Sequence, residues 1–164
     1  MIRKYLLPMT VLTVLFFFVK EVVFSLPSMN GLWTFEMTTV STSYNPFKKM
    51  KLTYLVLLIQ EGSSLSGTGE KIKEIASGKA RVYPAKKRIH IEIKGQIAKH
   101  YFKEDQITFH ITESGLKRKS STVHSLRVIN KDKLAGSFVS TIATSTGDIV
   151  WFRGNNDYHF SRKK

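Results

Sequence analysis

Residues 31–37 read Gly31-Leu32-Trp33-Thr34-Phe35-Glu36-Met37, and the fold of the whole chain turns on this stretch. Trp33, Phe35 and Met37 alternate with Thr34, Glu36 and Thr38, which puts apolar side chains on one face of a strand and polar ones on the other. The same device recurs downstream. Residues 88–97 set Ile89, Ile91 and Ile93 against His90, Glu92 and Lys94, and residues 106–112 set Ile107, Phe109 and Ile111 against Thr108 and His110. Further strands are expected at 50–60, 65–75, 122–129, 134–143 and 148–153, with 78–83 a short strand or a loop. Polar turns separate them: Glu61-Gly62-Ser63-Ser64, Glu113-Ser114-Gly115, Asn130-Lys131-Asp132-Lys133 and Ser145-Thr146-Gly147-Asp148. No window longer than ten residues shows a helical stripe.

About eight strands joined by short turns, without helical crossovers, imply an all-β fold, an up-and-down antiparallel β-barrel, with a β-sandwich as the competing architecture. Leu65-Ser66-Gly67-Thr68-Gly69 and Leu134-Ala135-Gly136-Ser137-Phe138 repeat a Leu-x-Gly start, and glycine there suggests a bulge or a bend in a curving wall.

Upstream of this body lies a segment of another kind. Arg3 and Lys4 precede an apolar run over residues 6–19, followed by Lys20-Glu21 and then Val23-Phe24-Ser25, the order of an export signal cut after Ser25. Residues 6–19 are too short to cross a hydrocarbon core of ~30 Å as a helix, although a run extended to Phe24 would reach, so a retained anchor is the alternative. The expected organisation is therefore 1–25 signal peptide, 26–154 barrel and 155–164 basic tail, in a secreted or periplasmic protein. The chain has no cysteine, so the exported domain is held by its core alone.

Charge is the second theme. Losing Arg3, Lys4 and Lys20 together with Glu21 lowers the formal net charge only from +14 to +12. The excess falls in clusters: Lys48-Lys49-x-Lys51, Lys86-Lys87-Arg88, Lys117-Arg118-Lys119 and Arg162-Lys163-Lys164. Such an imbalance attracts anionic membranes or glycans, without implying recognition of a specific nucleic acid.

Gly31-x-Trp33 opening the first strand, the eight-strand meander and the Leu-x-Gly repeats together resemble the calycin superfamily of lipocalins, fatty-acid-binding proteins and avidins. The resemblance implies that Trp33 closes the barrel floor and that Arg153, in Val150-Trp151-Phe152-Arg153-Gly154, covers it. Other marks of those families are missing. Asn130-Lys131-Asp132-Lys133 stands where lipocalins carry Thr-Asp-Tyr, and with only Trp33 and Trp151 the chain lacks the tryptophans of a biotin site.

The chemistry-bearing residues do not suggest an enzyme. The five histidines show no metal-ligand spacing, no nucleophile motif or phosphate loop occurs, and no cofactor or metal is implied. The first functional expectation is a non-enzymatic binding protein with a small hydrophobic or amphipathic ligand, lipid-like, inside the barrel. Trp33, Phe35, Tyr54, Phe109, Phe138 and Trp151 would line its site, with Tyr54 and Ser140 as polar contacts. The alternative is a solid core acting through basic loops, Lys48, Lys49, Lys51, Lys117, Arg118 and Lys119, on an anionic envelope component or a protein partner. Residues 52–59, Leu-Thr-Tyr-Leu-Val-Leu-Leu-Ile, are apolar on both faces. Leu55, Leu57 and Ile59 on the outer face are expected to meet a cover, foremost a second copy of the chain, otherwise a lipid surface or a loop of the same chain.

Overall fold

The computed structural model describes residues 28–100, 104–115 and 119–154. Its strands are β1 (Gly31–Ser41), β2 (Lys51–Glu61), β3 (Ser64–Ala76), β4 (Lys79–Val82), β5 (Ile89–Ala98), β6 (Gln106–Ser114), β7 (Lys119–Asn130), β8 (Lys133–Ser140) and β9 (Ser145–Arg153). All but β4 close into an eight-stranded antiparallel up-and-down barrel, in which β9 pairs back onto β1 and β2 pairs with β3. Closure leaves the wall without an open edge. β3 pairs with β5 up to Lys71 and with β4 from Lys73 to Ala76, so the β3–β4 hairpin projects from one end of the barrel. Its two-residue turn holds Ser77 and Gly78 at φ of 49° and 75°, a conformation that suits glycine at the second position.

That end, called the rim here, also carries the β1–β2, β6–β7 and β8–β9 connections. The opposite end, the floor, carries residues 28–30, the β2–β3 and β7–β8 turns and the end of β9. The alternation read from the sequence sets the inner face. Trp33, Phe35 and Met37 pair in register with Val56, Tyr54 and Leu52 on one side and with Arg153, Trp151 and Ile149 on the other. Leu65 and Ile91, Ile93, Ile97, Ile107, Phe109 and Ile111 complete one buried cluster.

Of the two alternatives for residues 78–83, the structure holds the short strand, β4. It departs from the expected elements in three places. β8 stops at Ser140, before Ala143 and Thr144, whose φ of 48° and 47° breaks the extended chain. β6 runs on through Glu113, and β7 begins at Lys119 with Ser114↔Lys119 paired, so residues expected in a turn lie on strands. Gly67 and Gly136 mark no bulge; the irregularities in the ladder lie at Thr53/Tyr54, Thr39/Ser41 and Val128/Asn130. A Cβ at Gly136 would run into the carbonyl of Ser125, and one at Gly67 into the carbonyl of Leu57, so glycine there serves close strand approach. The expected leader over 1–25 and tail over 155–164 lie outside the described residues.

Candidate functional site

A column of rings crosses the barrel. Tyr54 stacks on Phe35 with centroids 4.6 Å apart, Phe35 on Trp151 at 4.6 Å, and Trp151 on Phe109 at 4.7 Å. The first three come from the adjacent strands β2, β1 and β9, and Phe109 reaches across from β6. Phe109 finds room because its cross-strand partner on β5 is Gly95, where a Cβ would stand 2.8 Å from the ring's Cε1. Trp33, Phe35, Phe109 and Trp151 are at most 1% exposed, so no space the size of a water molecule adjoins them. Phe138 is buried with them. Five of the residues expected to line a ligand site therefore pack on one another as the core, and on one more ring, His124. That imidazole meets Phe35 and Trp151 edge-on at 5.1 and 5.9 Å. Its two nitrogens and the indole nitrogen of Trp151 are the buried side-chain polar atoms without a hydrogen-bond partner among the described residues. Burial lowers the His124 pKa from 6.5 to about 3, so the ring is neutral.

The floor is sealed by the motif that opened the sequence. Gly31 starts β1, and the Trp33 indole N–H donates to the carbonyl of Met29, itself fully buried, at 2.9 Å. The Arg153 guanidinium lies 4.5 Å from the Trp33 ring centroid and donates to the carbonyls of Ser28, Asn30 and Lys131 and to the Asp132 carboxylate. One planar, five-donor side chain thus ties the incoming chain, the β7–β8 turn and β9 together over an aromatic face.

Above the ring column the inner wall turns polar. Lys71 Nζ and the Tyr54 hydroxyl donate to the two oxygens of Glu113, at 3.0 and 2.7 Å. The lysine and glutamate side chains are only 9% and 16% exposed. Burial first, then the Glu113 charge, pushes the Tyr54 pKa well above its ordinary value and keeps the hydroxyl a donor. Across the lumen Thr122 donates to Ser140 at 3.0 Å and Ser145 to Thr42 at 3.1 Å. Of the expected polar contacts, Tyr54 and Ser140 belong to this layer. Lys71 and Glu113 were not anticipated, although each continues an inward alternation, through Gly67 and Gly69 and through Ile107, Phe109 and Ile111.

The rim is basic. Lys48 and Lys49 stand on the β1–β2 connection, Lys51 and Lys119 begin β2 and β7, Lys79 and Arg81 lie on β4, and Lys86 and Lys87 follow it. All are exposed, and none of the eight forms an ion pair among the described residues. Lys117 and Arg118 lie outside the described residues. The carboxylates on the neighbouring strand ends are already engaged. Glu70 pairs with Arg88 at 3.1 Å and faces His90 at 3.4 Å, Glu74 accepts from the Tyr83 hydroxyl at 2.8 Å, and Glu113 is held by Lys71 and Tyr54.

The apolar outer face of β2 is smaller than expected. Leu55 is fully buried within the chain and offers a second copy nothing, whereas Leu57 and Ile59 remain 44% and 52% exposed. Leu55 pairs in register with Glu70, whose ion pair with Arg88, together with the Arg88 bond to the carbonyl of Tyr83, holds residues 83–88 against this part of the wall. A depression of about 610 Å³ does exist, but on the outside of β6–β9, where Thr108, Ser125, Ser137 and Asp148 form a cross-strand row of short side chains. Among the described residues no group of three or more His, Asp or Glu side chains is placed to hold a metal ion. No protein-family model matches the chain, and no curated protein matches it.

Proposed function

We propose that this is an exported, non-enzymatic barrel of calycin type, and that it works through its basic rim on an anionic partner. The observation that carries this reading is the asymmetry of charge pairing at the rim. Glu70 and Glu113 are paired with Arg88 and Lys71 and Glu74 accepts from the Tyr83 hydroxyl, while Lys48, Lys49, Lys51, Lys79, Lys86, Lys87 and Lys119 are exposed and form no ion pair among the described residues. A field of one sign at one end of a rigid body attracts and orients polyanions. The calycin assignment is supported by the Arg153 contact over Trp33 at the closed floor. Retention of the protein on heparin as salt is raised tests the rim directly. The wild type should elute only at high salt, and Lys48→Glu, Lys49→Glu and Lys51→Glu together should weaken binding by at least about tenfold. Unchanged, salt-insensitive retention would contradict the proposal.

A ligand inside the barrel is the second reading, supported by the polar layer of Tyr54, Lys71, Glu113 and Ser140 at the mouth. Such a ligand would sit above the ring column or part the Tyr54–Phe35 stack to go deeper. Native mass spectrometry of protein purified without detergent should then show an adduct that organic extraction removes.

A further inference from the structure

Resting on the basic-rim reading, we infer that the anionic partner is a phospholipid bilayer, which the rim engages by shallow insertion of apolar side chains as well as by charge. The lysines do not stand alone. Tyr44, on the β1–β2 connection next to Lys48 and Lys49, is 54% exposed and held edge-on against Phe47 with centroids 4.9 Å apart. Val82, on β4 beside Arg81, is 66% exposed, the most open large apolar side chain described. Val40 and Val139 extend the apolar character along the wall, both next to Thr146 of β9 or its neighbour at the rim ends of β1 and β8.

The two kinds of side chain divide the partners. A glycan or nucleic-acid polyanion offers charge and gains little from an exposed valine at the base of the β3–β4 hairpin, opposite Lys73. A bilayer offers a negative surface with an apolar layer beneath it, the pairing met by lysines flanking a tyrosine and a valine. Tyrosine is suited to the headgroup level, its ring in the apolar boundary and its hydroxyl in water. The hairpin also has the stiffness insertion requires. β4 is tied to β3 over four register pairs, and Tyr83 behind it donates its N–H to the carbonyl of Ile72 at 2.9 Å and its hydroxyl to Glu74. Glu74 and Glu113, the carboxylates nearest the approaching surface, each accept from a neighbour, and Glu113 is neutralised by Lys71.

Sedimentation of the full chain with vesicles tests this, with each variant compared with its parent so that residues 1–27 contribute equally. Phosphatidylcholine vesicles are set beside vesicles containing phosphatidylglycerol, and heparin retention is measured in parallel. Binding should be stronger to the phosphatidylglycerol vesicles, and Lys48→Glu, Lys49→Glu and Lys51→Glu together should lower it by about 100-fold, roughly fivefold for each lysine. Tyr44→Ser with Val82→Ser should lower vesicle binding about five- to tenfold and leave heparin retention unchanged. Part of the wild-type vesicle binding should also survive the salt that elutes the protein from heparin. If the Tyr44/Val82 variant, still folded by circular dichroism, binds vesicles like the parent and salt removes both ligands in parallel, the partner is a soluble polyanion. The bilayer inference then falls while the basic-rim reading stands. If neither heparin nor phosphatidylglycerol vesicles bind, both fall.

Discussion

The two ends of this barrel are built from the same strands and finished by opposite chemistry. At the floor the Arg153 guanidinium is consumed by carbonyls, a carboxylate and the face of Trp33, and Trp33 beneath it is fully buried. At the rim the pattern inverts, with carboxylates consumed and cations left over. Between them the ring column of Tyr54, Phe35, Trp151 and Phe109 fills the lumen. A barrel of eight strands is only just wide enough for side chains to meet in the middle, so four rings suffice to turn a would-be container into a solid rod. What differs between the ends is therefore the balance of exposed charge, mixed in sign at the floor and dominated by lysines at the rim, where we propose the working surface.

The comparison breaks first if the middle is not solid. Trp151→Ala removes the ring that touches Phe35, Phe109 and His124, and should cost as much as about 5 kcal/mol in urea unfolding. A loss under about 1 kcal/mol would mean that the lumen already had room. Acid probes the same region. His124 is neutral in the fold, with its pKa lowered by burial from 6.5 to about 3, whereas in the unfolded chain it takes a proton near 6.5. Its contribution is fully present above pH 6.5 and is lost as pH falls from there towards 3, a loss of about 5 kcal/mol in all. His124→Phe should flatten that limb of the stability–pH curve, and an unchanged limb would assign acid sensitivity elsewhere.

Smaller effects sharpen the contrast between the ends. Glu113→Leu strands the Lys71 ammonium inside the rim and should cost about 2 kcal/mol, much of it restored by adding Lys71→Met. Arg153→Ala should cost about 1 to 2 kcal/mol at the floor, through the lost cation–π contact and the carbonyls it leaves unbonded. Reversing Lys48, Lys49 and Lys51 should change stability by no more than about 0.5 kcal/mol, because their exposed side chains form no ion pair among the described residues. A large change in melting temperature for that triple variant would recast these lysines as structural.

Most of the barrel was legible because alternation reports which face a residue takes, and faces were assigned correctly for Trp33, Phe35, Tyr54, Phe109 and Phe138. Alternation does not report volume. That the rings meet across the lumen depends on Gly95 leaving space for Phe109, a relation between strands that pair only in the fold. Glu113 was hidden by the turn chemistry of Glu113-Ser114-Gly115, although it stands two residues after Ile111 on the inward face. The burial of Leu55 escaped for a similar reason: its register partner on β3 is Glu70, whose ion pair with Arg88 joins the wall there to the residues preceding β5. His124 carried no local mark, since a histidine in an alternating run is as readily turned outward, as His90 and His110 are.

The central claim is that the rim binds while the lumen only supports it. Backbone amide and indole NMR shifts, followed while phosphatidylglycerol-containing bicelles are titrated in, test it most directly. Changes concentrated in residues 42–51 and 77–88, with the Phe35 and Phe109 amides and the Trp151 indole unmoved, are the predicted result. Shifts centred on Phe35, Phe109 and Trp151, with the rim silent, would contradict it.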